Sequence, residues 1–460
     1  MPPTNSLKTL LEAPQNNALP GILVYCEKPG PRLYYTFDFI FKRVLKCHYQ
    51  LTDNETEYKT HEGVRINYSN REFPGYKIVP DGLLNETHLR SGHPEAIHKN
   101  GQIYFFGAPD SVTDLHFDVF AAVFYFISRY EEWQEYRADV HGRFEAGASL
   151  LYKHDAHLKP VVDQWIWEFA SALKKQQPEL EAGKPMFEYL STIDIDNLYA
   201  YKAKSFLRVC GASARDLIKF NIKHFFERFQ VLSGLKKDPF DIYGDIPAFA
   251  REQNYELLFF FLYRNGTPND RTVKPGSLAF KEVFERLRAQ GANIGLHPSY
   301  DSAFEETLLT REYELICNTA GHKINFTRNH FLRYNIRRTP HALMQLGVKA
   351  DFTMGFASQP GFRAGTAHPF HYFDLVKNEA HHLLFVPFCA MDGAFINYNK
   401  TAPERIMKTL TDLAAEVKKT GGFYVTVFHE STISNHLYKG FGTLYKNLHL
   451  HLKQLRGAEI

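Results

Sequence analysis

Residues 187–196 read Phe-Glu-Tyr-Leu-Ser-Thr-Ile-Asp-Ile-Asp, an apolar run that predicts a buried strand ending in two acidic residues. Amphipathic helical stretches separate it from further short apolar runs at 256–263, 293–296, 323–326, 348–352, 383–388 and 423–428. Regular alternation of strands and helices is typical of a parallel sheet or barrel with helices packed outside it. We therefore predict an α/β fold for residues 186–460.

A second domain is expected before this one, because 460 residues exceed the size at which a single hydrophobic core stops growing. Residues 21–25 predict a strand, and the almost wholly apolar run 117–130 predicts a buried helix. The polar stretch 174–184 then marks a boundary. We predict a smaller α/β or α+β domain at 1–185, to which no motif assigns a role.

Composition and charge exclude several classes of protein. Hydrophobic residues make up 44% of the chain, so it is not disordered throughout. The net charge of +3, from 54 basic and 51 acidic residues, gives no reason to expect nucleic acid as a partner. The five cysteines are scattered without CxxC spacing, which argues against a disulfide framework or a thiolate zinc site. We recognise neither a secretory signal nor an apolar stretch long enough to span a bilayer, and expect a cytoplasmic protein.

Chemically active side chains stand at the ends of the predicted strands. They are Asp194, Asp196, His297, Arg328, Asp351 and His429. Loops that follow parallel strands lie on one face of the sheet, so we expect these groups to share a site. Two neighbouring carboxylates repel each other unless a cation or an arginine stands between them, which favours a metal. Taken singly, each residue is more simply a cap or surface group, and Asp196-Asn197 also fits a helix cap or turn.

The stretch 191–196, Ser-Thr-Ile-Asp-Ile-Asp, resembles the first motif of the polysaccharide deacetylases, carbohydrate esterase family 4. That motif is commonly Thr-Phe-Asp-Asp-Gly, in which one aspartate is the base and the next binds the metal. The resemblance implies a distorted (β/α) barrel, a divalent metal such as zinc, Asp194 as base and Asp196 as ligand. The extra residue between the two aspartates leaves the register open.

Two further stretches are similar to the metal and arginine motifs of that family. His297-Pro-Ser-Tyr-Asp301 resembles His-Ser/Thr-x-x-His, which implies His297 as a ligand and puts Asp301 at the second ligand position. An aspartate oxygen can bind zinc, but Asp301 fits equally well as a helix cap. Thr327-Arg328-Asn-His330-Phe resembles Arg-x-Pro-Tyr/Phe, which implies that Arg328 pairs with the catalytic aspartate. His330 then either supplies the missing metal ligand or serves packing or substrate contact.

The last motifs concern acid catalysis and substrate. Asp351-Phe-Thr resembles the fourth motif, whose acid tunes the catalytic histidine, and the run 425–429 resembles the fifth, whose histidine, here His429, protonates the leaving amine. A capping role is the alternative for that histidine. The phrases at 361–366 and 391–393 resemble a divergent bacterial branch with a long amino-terminal domain. They suggest substrate contacts by Arg363, His368 and Asp392, although the glycines at 361 and 365 can simply shape a loop.

The resemblance therefore implies a metal-dependent hydrolase that removes N- or O-acetyl groups from a saccharide or glycan precursor. A catalytically degenerate glycan-binding protein on the same barrel is the alternative from another class, and a different carbohydrate-active hydrolase on a related barrel is a third. Residues 206–234 combine apolar side chains with lysines and arginines. We expect this segment to pack on the barrel, with peripheral membrane contact as the alternative. The oligomeric state is not predictable from these patterns.

Overall fold

Two mainly parallel sheets, a small antiparallel hairpin and the helices that cover them make up the fold. The computed structural model describes residues 6–11, 21–109, 111 and 113–457. Residue 1, where the first predicted domain begins, and residue 460, where the second ends, lie outside these ranges. The first helix is α1 (Ser6–Leu11). Among the described residues, no helix has both the length and the apolarity that a bilayer crossing requires.

The amino-terminal part contains a four-stranded parallel sheet of order β2-β1-β3-β4 and a separate antiparallel hairpin, β5-β6. The strands are β1 (Ile22–Cys26), β2 (Tyr49–Thr52), β3 (Val64–Tyr68), β4 (Tyr76–Lys77), β5 (Ala96–Lys99) and β6 (Gln102–Phe105). The helices are α2 (Pro31–Phe37), α3 (Glu55–Thr60), α4 (Val119–Ile127), α5 (Tyr130–Trp133), α6 (Leu150–Lys153) and α7 (Val161–Gln176). A π-helical segment, Asp38–Val44, continues α2.

Helix α4 lies at the centre of this part. Its sequence is apolar on every side, so every face of the helix can be buried. All nine of its residues are buried, which agrees with the buried helix predicted within 117–130. Its start is fixed by Asp118, whose carboxylate accepts hydrogen bonds from the backbone amides of Phe120 and Ala121. Such a cap satisfies amides that the first helical turn would leave without partners.

The second sheet has nine strands in the order β12-β13-β11-β10-β9-β8-β7-β15-β14. They are β7 (Phe187–Ile195), β8 (Leu257–Leu262), β9 (Asn293–His297), β10 (Phe326–Thr327), β11 (Ala350–Asp351), β12 (Phe370–Asp374), β13 (Glu379–Phe385), β14 (Ala390–Met391) and β15 (Gly422–His429). Every neighbouring pair is parallel except the hairpin β12-β13. The helices are α8 (Phe206–Ile218), α9 (Ile222–Leu232), α10 (Asp245–Gln253), α11 (Leu278–Ala289), α12 (Glu306–Ala320), α13 (Thr339–Gln345), α14 (Pro403–Thr420), α15 (Glu430–Ile433) and α16 (Phe441–Gly457).

The sheet curls around a packed interior, but its ladder does not close into a full barrel. The chain between β13 and β14 crosses from one edge to the other: the Val386 amide donates to the Asp351 carbonyl, and the Cys389 amide donates to the Val425 carbonyl. Alternate side chains of the strands form one buried cluster, which includes Leu190, Leu258, Phe260, Phe326, Ala350, Phe352, Leu384, Val386, Phe423, Val425 and Val427. The expected α/β architecture is therefore present, with an interruption where a closed barrel would have a continuous ladder.

Helix α1 fills one end of this interior. Leu7 and Leu10 belong to the same buried cluster, and the Leu7 amide donates to the Glu256 carboxylate at 2.6 Å. Burying a leucine contributes about 1.5–3 kcal/mol, so the two side chains stabilise the sheet appreciably. Residues 6–11 thus pack on the second sheet, although the predicted boundary near 185 assigns them to the first domain.

The strand register brings the carboxyl ends of the central strands to one edge. Strands β7 and β15 pair so that His429 lies opposite Asp194. Along the sheet, His297 ends β9, and Thr327 of β10 pairs with Leu296 of β9. The side chains just beyond these ends form the site described next.

Candidate metal and catalytic site

Asp196, His297 and His330 converge where β7, β9 and β10 end. Each offers one possible metal-binding atom, and the three atoms lie within 4.8 Å of one another. The Asp196 Oδ1 atom is 3.5 Å from His297 Nε2 and 3.4 Å from His330 Nε2. His330 begins a short 3-10 turn, His330–Leu332, directly after β10. Of the two residues proposed for the third ligand position, it is His330 that lies in this cluster.

The orientation of the two imidazoles suits a metal. His297 Nδ1 lies 2.5 Å from the Arg328 carbonyl, which can only accept, so Nδ1 donates and Nε2 keeps its lone pair. His330 Nδ1 similarly faces the buried Asp270 carboxylate at 3.0 Å. Among the described residues, the buried atoms Asp196 Oδ1 and His297 Nε2 have no hydrogen-bond partner. Unpartnered ligand atoms backed by hydrogen bonds on the far ring nitrogen are typical of metal sites, so the residues fit a divalent cation.

Electrostatics at His330 lead to the same conclusion. Burial alone would lower the pKa of His330, but the Asp196 and Asp270 carboxylates on either side raise it to about 9. The cluster therefore attracts positive charge strongly. Metal binding and protonation compete for the same lone pairs, so a cation bound here would replace that proton.

Asp301, the other residue considered for the ligand set, lies outside the cluster. Its side chain is 41% exposed, and its Oδ2 atom is 3.5 Å from Arg264 Nη2. Its carbonyl accepts from the amides of Phe304 and Glu305, so the residue belongs to a turn. The turn leaves β9 at Pro298 and carries Asp301 away from His297, which explains why a spacing of four residues does not bring them together here.

Asp194 is held by a buried arginine. Arg328 is fully buried and donates from Nη1 to Asp194 Oδ1 at 2.7 Å, from Nη2 to the Thr192 hydroxyl at 2.7 Å, and from Nε to the Phe352 carbonyl at 3.0 Å. Its guanidinium carbon lies 4.5 Å from the centre of the Phe260 ring. The other oxygen of Asp194, Oδ2, is 3.8 Å from His297 Nε2. One oxygen is thus fixed while the second faces the ligand cluster.

His429 is oriented by Asp392. Its Nδ1 atom is 2.6 Å from Asp392 Oδ1, and its backbone amide donates to Asp392 Oδ2 at 2.8 Å. Burial lowers the pKa of His429, but Asp392, followed by Asp196 and Asp194, raises it well above its usual range. With Nδ1 committed to Asp392, Nε2 is the nitrogen available for proton transfer.

These contacts correct two expectations about the acids. Asp351 does not touch His429: its carboxylate accepts from the Thr327 and Thr353 hydroxyls at 2.8 and 3.1 Å, and burial raises its pKa to about 6. It ends β11, far along the sheet from β15. Asp392 is not placed for substrate contact either, because its oxygens already accept from His429 and from the Gly393 amide. Asp392 holds the position expected of Asp351.

Arg363 and His368 also lie elsewhere than predicted. Arg363 is buried and pairs with both carboxylate oxygens of Glu132, at 2.9 and 2.7 Å. His368 is buried against Phe39, and burial lowers its pKa to about 3. Neither lines the cavity over the cluster of candidate ligands. The segment 361–368 packs on the amino-terminal helices, as the hydrogen bond from the Val162 amide to the Gly365 carbonyl shows, so both side chains are enclosed in that packing and lie outside the cavity.

A cavity of about 150 Å³ opens over the cluster. Besides the catalytic candidates, its wall includes Arg143, Asn329, Phe331, Leu332, Met391, Asn397 and Tyr398. Arg143 comes from the amino-terminal part and donates to the Phe331 carbonyl and the Tyr398 hydroxyl, both at 2.9 Å. Sequence reasoning assigned that part no role, yet one of its residues forms a wall of the site.

Comparisons with known proteins match different parts of the chain. Residues 22–178 match a family of unknown function, DUF7033. No curated protein matches this sequence. Solved structures with similarity include a polysaccharide deacetylase described as putative from Mycobacterium smegmatis, at 15% identity, covering 59% of this chain and 86% of that one, with a TM-score of 0.36.

Two further matches are of the same kind. A polysaccharide deacetylase from Bacillus cereus has 12% identity, covers 59% of this chain and 88% of that one, and gives a TM-score of 0.28. A probable polysaccharide deacetylase from Pseudomonas aeruginosa PAO1 has 12% identity, covers 57% and 84%, and gives 0.33. The reaction proposed below rests on the geometry of the site, and its substrate class rests on the motif resemblance of the sequence.

Proposed function

We propose that this chain is a metal-dependent hydrolase that removes an acetyl group from a saccharide. One observation carries the proposal: Asp196, His297 and His330 converge, with Asp196 Oδ1 and His297 Nε2 unpartnered, between an arginine-held Asp194 and an aspartate-held His429. Ligands, a base and an acid gathered at the ends of neighbouring parallel strands are what hydrolysis of an amide or ester requires.

Asp196, His297 and His330 would hold the cation. Two imidazole nitrogens and one carboxylate oxygen are a donor set that suits zinc and leaves a position open. When bound, such a cation polarises the acyl oxygen and lowers the pKa of a water molecule. The Arg328 carbonyl and Asp270 keep the two imidazoles turned toward Asp196.

Asp194 acts as the general base. Its Oδ1 atom accepts a hydrogen bond from Arg328, which fixes the position of the carboxylate. Its Oδ2 atom faces the cluster and takes a proton from the attacking water. Arg328 also donates to Thr192 and to the Phe352 carbonyl, so it is a rigid support for this carboxylate.

His429 acts as the general acid. Asp392 keeps its imidazole protonated, and Nε2 gives a proton to the nitrogen or oxygen that leaves the acetyl group. Because His429 lies opposite Asp194 on adjacent strands, the base and the acid can serve the same reacting bond. Arg143, Tyr398 and Asn397 line the space where the sugar ring would lie.

Metal content and acetate release test this proposal together. Full-length protein purified without chelator should contain about one divalent metal per chain, and it should release acetate from acetylated oligosaccharides. The variant His330→Ala should lose both properties, whereas the matched variant Asp301→Asn should keep them. Protein without metal that binds but does not hydrolyse glycans would instead support the degenerate glycan-binding alternative, and other products would support a different hydrolase.

A further inference from the structure

Helices α8 and α9 form a hairpin whose outer surface is unusually apolar. Over residues 206–235 the exposed large apolar side chains are Phe206, Leu207, Leu217, Ile218, Phe220, Ile222, Phe226, Phe229, Leu232 and Leu235. They are ten of the twenty-one such side chains found in the described part of the chain. Phe220, between the two helices, is 85% exposed and Ile218 is 77% exposed. An apolar concentration of this kind marks a surface that meets something else.

The buried side of the hairpin is mainly polar, whereas most of its apolar side chains are exposed. The buried side chains of α8 are Ser213 and Asp216, and Arg228 of α9 donates to both, at 3.0 and 2.5 Å. On α9 the exposed residues Ile222, Phe226 and Phe229 follow helical spacing and form one stripe. The segment does pack against the rest of the domain, as the hydrogen bonds from Arg208 to the Arg271 and Thr272 carbonyls show, but most of its apolar side chains take no part in that packing.

Positive charge accompanies this apolar surface. Residues 202–237 contain nine lysines and arginines but two acidic residues, although the whole chain carries a net charge of only +3. Both acids are buried and paired, Asp216 with Arg228 and Glu227 with Lys236. Lys219 and Lys223 are exposed on either side of the turn that carries Phe220. The complement of an apolar face with a basic border is a membrane surface with anionic headgroups.

A basic cavity of about 770 Å³ lies behind the hairpin. Its wall includes Lys204, Arg208, Arg215, Arg228 and Arg271, and the acid among them, Asp216, is paired with Arg228. Burial and the nearby Arg208 lower the pKa of Lys204 to about 8, which is consistent with crowded positive charge. An anionic group of a few oxygen atoms would relieve this repulsion. Asn197, next to the candidate ligand Asp196, also lines the cavity.

We propose that the α8–α9 hairpin docks the protein on a lipid surface with anionic headgroups. The apolar stripe and Phe220 enter the interface, Lys219 and Lys223 contact headgroups, and the basic cavity accepts one headgroup behind them. The hairpin follows β7, so docking would hold the candidate site close to the lipid surface. The proposal does not depend on the proposed hydrolase activity, because none of these residues belongs to that site.

Vesicle co-sedimentation of the full-length protein tests this directly. Binding should be stronger to phosphatidylcholine mixed with phosphatidylglycerol than to phosphatidylcholine alone, and should weaken as salt is added. The variant Lys219→Gln/Lys223→Gln should lose about fivefold in partitioning for each lysine on the anionic vesicles. The matched variant Lys408→Gln, at a 75% exposed lysine of α14, should bind like the unaltered chain.

The apolar contribution is tested separately. Phe220→Ser/Phe226→Ser should lower partitioning at least about tenfold for each phenylalanine, because each loses its burial in the interface. Leu278→Ser, at a 70% exposed leucine of α11, is the matched control. All four altered side chains of the test variants are exposed, so thermal unfolding should be unchanged and loss of binding cannot come from misfolding.

Three results would overturn the proposal. The first is equal binding of the test and control variants, or no binding to anionic vesicles. The second is a concentration-dependent dimer that Phe220→Ser/Phe226→Ser dissociates while vesicle binding is absent, since the occupant would then be a second copy. The third is saturable binding of inorganic phosphate by protein that does not sediment with anionic vesicles, since the ligand of the cavity would then be a soluble phosphate.

Discussion

The imidazole of His429 and the carboxylate of Asp392 lie 2.6 Å apart at the ends of the neighbouring strands β15 and β14. The same carboxylate also accepts from the His429 backbone amide at 2.8 Å. The two hydrogen bonds that Asp392 accepts fix both the ring and the backbone of His429, the candidate general acid. Because Asp392 acts on proton transfer through His429, replacing it should change the pH profile of the reaction.

Replacing Asp392 should move the alkaline limb of that profile. Asp392→Asn removes the charge that raises the pKa of His429, so the imidazole should lose its proton at lower pH. We expect the alkaline limb of kcat to shift toward acid, with kcat at least about tenfold lower. Asp351→Asn should leave the limb in place because Asp351 does not contact His429. The reverse pattern would restore the tuning role to Asp351.

Loss of either proton-transfer group should abolish most turnover. Asp194→Asn keeps an oxygen for Arg328 but cannot take a proton, and His429→Ala removes the acid. Each change should lower kcat by about 10² to 10⁴. Acetate release measures the effect, and circular dichroism checks that the fold is retained. Full activity in either folded variant would show that its assigned role is wrong.

Asp270 should control metal affinity although it is not a ligand. Its carboxylate bonds His330 Nδ1 at 3.0 Å and also accepts from the Tyr300 amide. Asp270→Asn should weaken metal binding about 10- to 100-fold, measured by competition with a chelator. Asp301→Asn, at a partly exposed aspartate outside the cluster, should have no effect. Equal affinities in all three proteins would contradict the proposed orientation of His330.

Glu312 should make stability depend on pH. Burial raises the pKa of this carboxyl from 4.5 to about 7, and its oxygens accept from the Ser299 amide and hydroxyl. The fold thus favours the protonated form. That contribution is complete below about pH 4.5 and is lost as the pH rises through about 7.

In urea unfolding experiments, Glu312→Gln should remove this part of the pH dependence. Glu314→Gln changes an exposed glutamate on the same helix and is the matched control. A Glu312→Gln curve parallel to that of the unaltered chain between pH 4.5 and 7 would show that Glu312 is ionised throughout this range in the folded protein.

Arg363 should matter for stability and not for substrate affinity. Arg363→Ala leaves the buried Glu132 with Arg129 as its remaining cationic partner. We expect the free energy of unfolding to fall by about 3 kcal/mol. The KM of the folded variant for an acetylated substrate should stay unchanged. A raised KM without loss of stability would return Arg363 to the substrate site.

The sequence could predict those features of the site that depend on strand ends. An apolar run identifies a strand, and the residue at its end lies at one edge of a parallel sheet. The positions of Asp194, His297 and His429 could therefore be predicted. Motif spacing was less reliable, because it does not say how a turn leaves a strand. For this reason the sequence could not decide between Asp301 and His330 as the third ligand, because the choice depends on the turn that follows β9.

Residues that reach the site through irregular segments were not predictable. Asp270 lies in a loop after β8 without any periodic pattern, although an acid beyond a strand end could have been noted. Arg143 reaches the cavity from the other part of the chain through long-range packing that no local pattern encodes. The prediction that Arg363 and His368 contact substrate has a different weakness. Polar residues beside glycines resemble a binding loop in the sequence, and only the structure shows that they are buried.

The position of α1 has a consequence for how the molecule is made. Its leucines occupy a core whose last strand, β15, ends more than 400 residues later in the chain. During synthesis that core cannot be completed until almost the whole chain has left the ribosome. Until then, the leucines of α1 cannot pack against β15. Contacts this distant in sequence slow folding and prolong the exposure of apolar surface. Deleting residues 6–11 should therefore reduce the yield of native protein more than its affinity for metal.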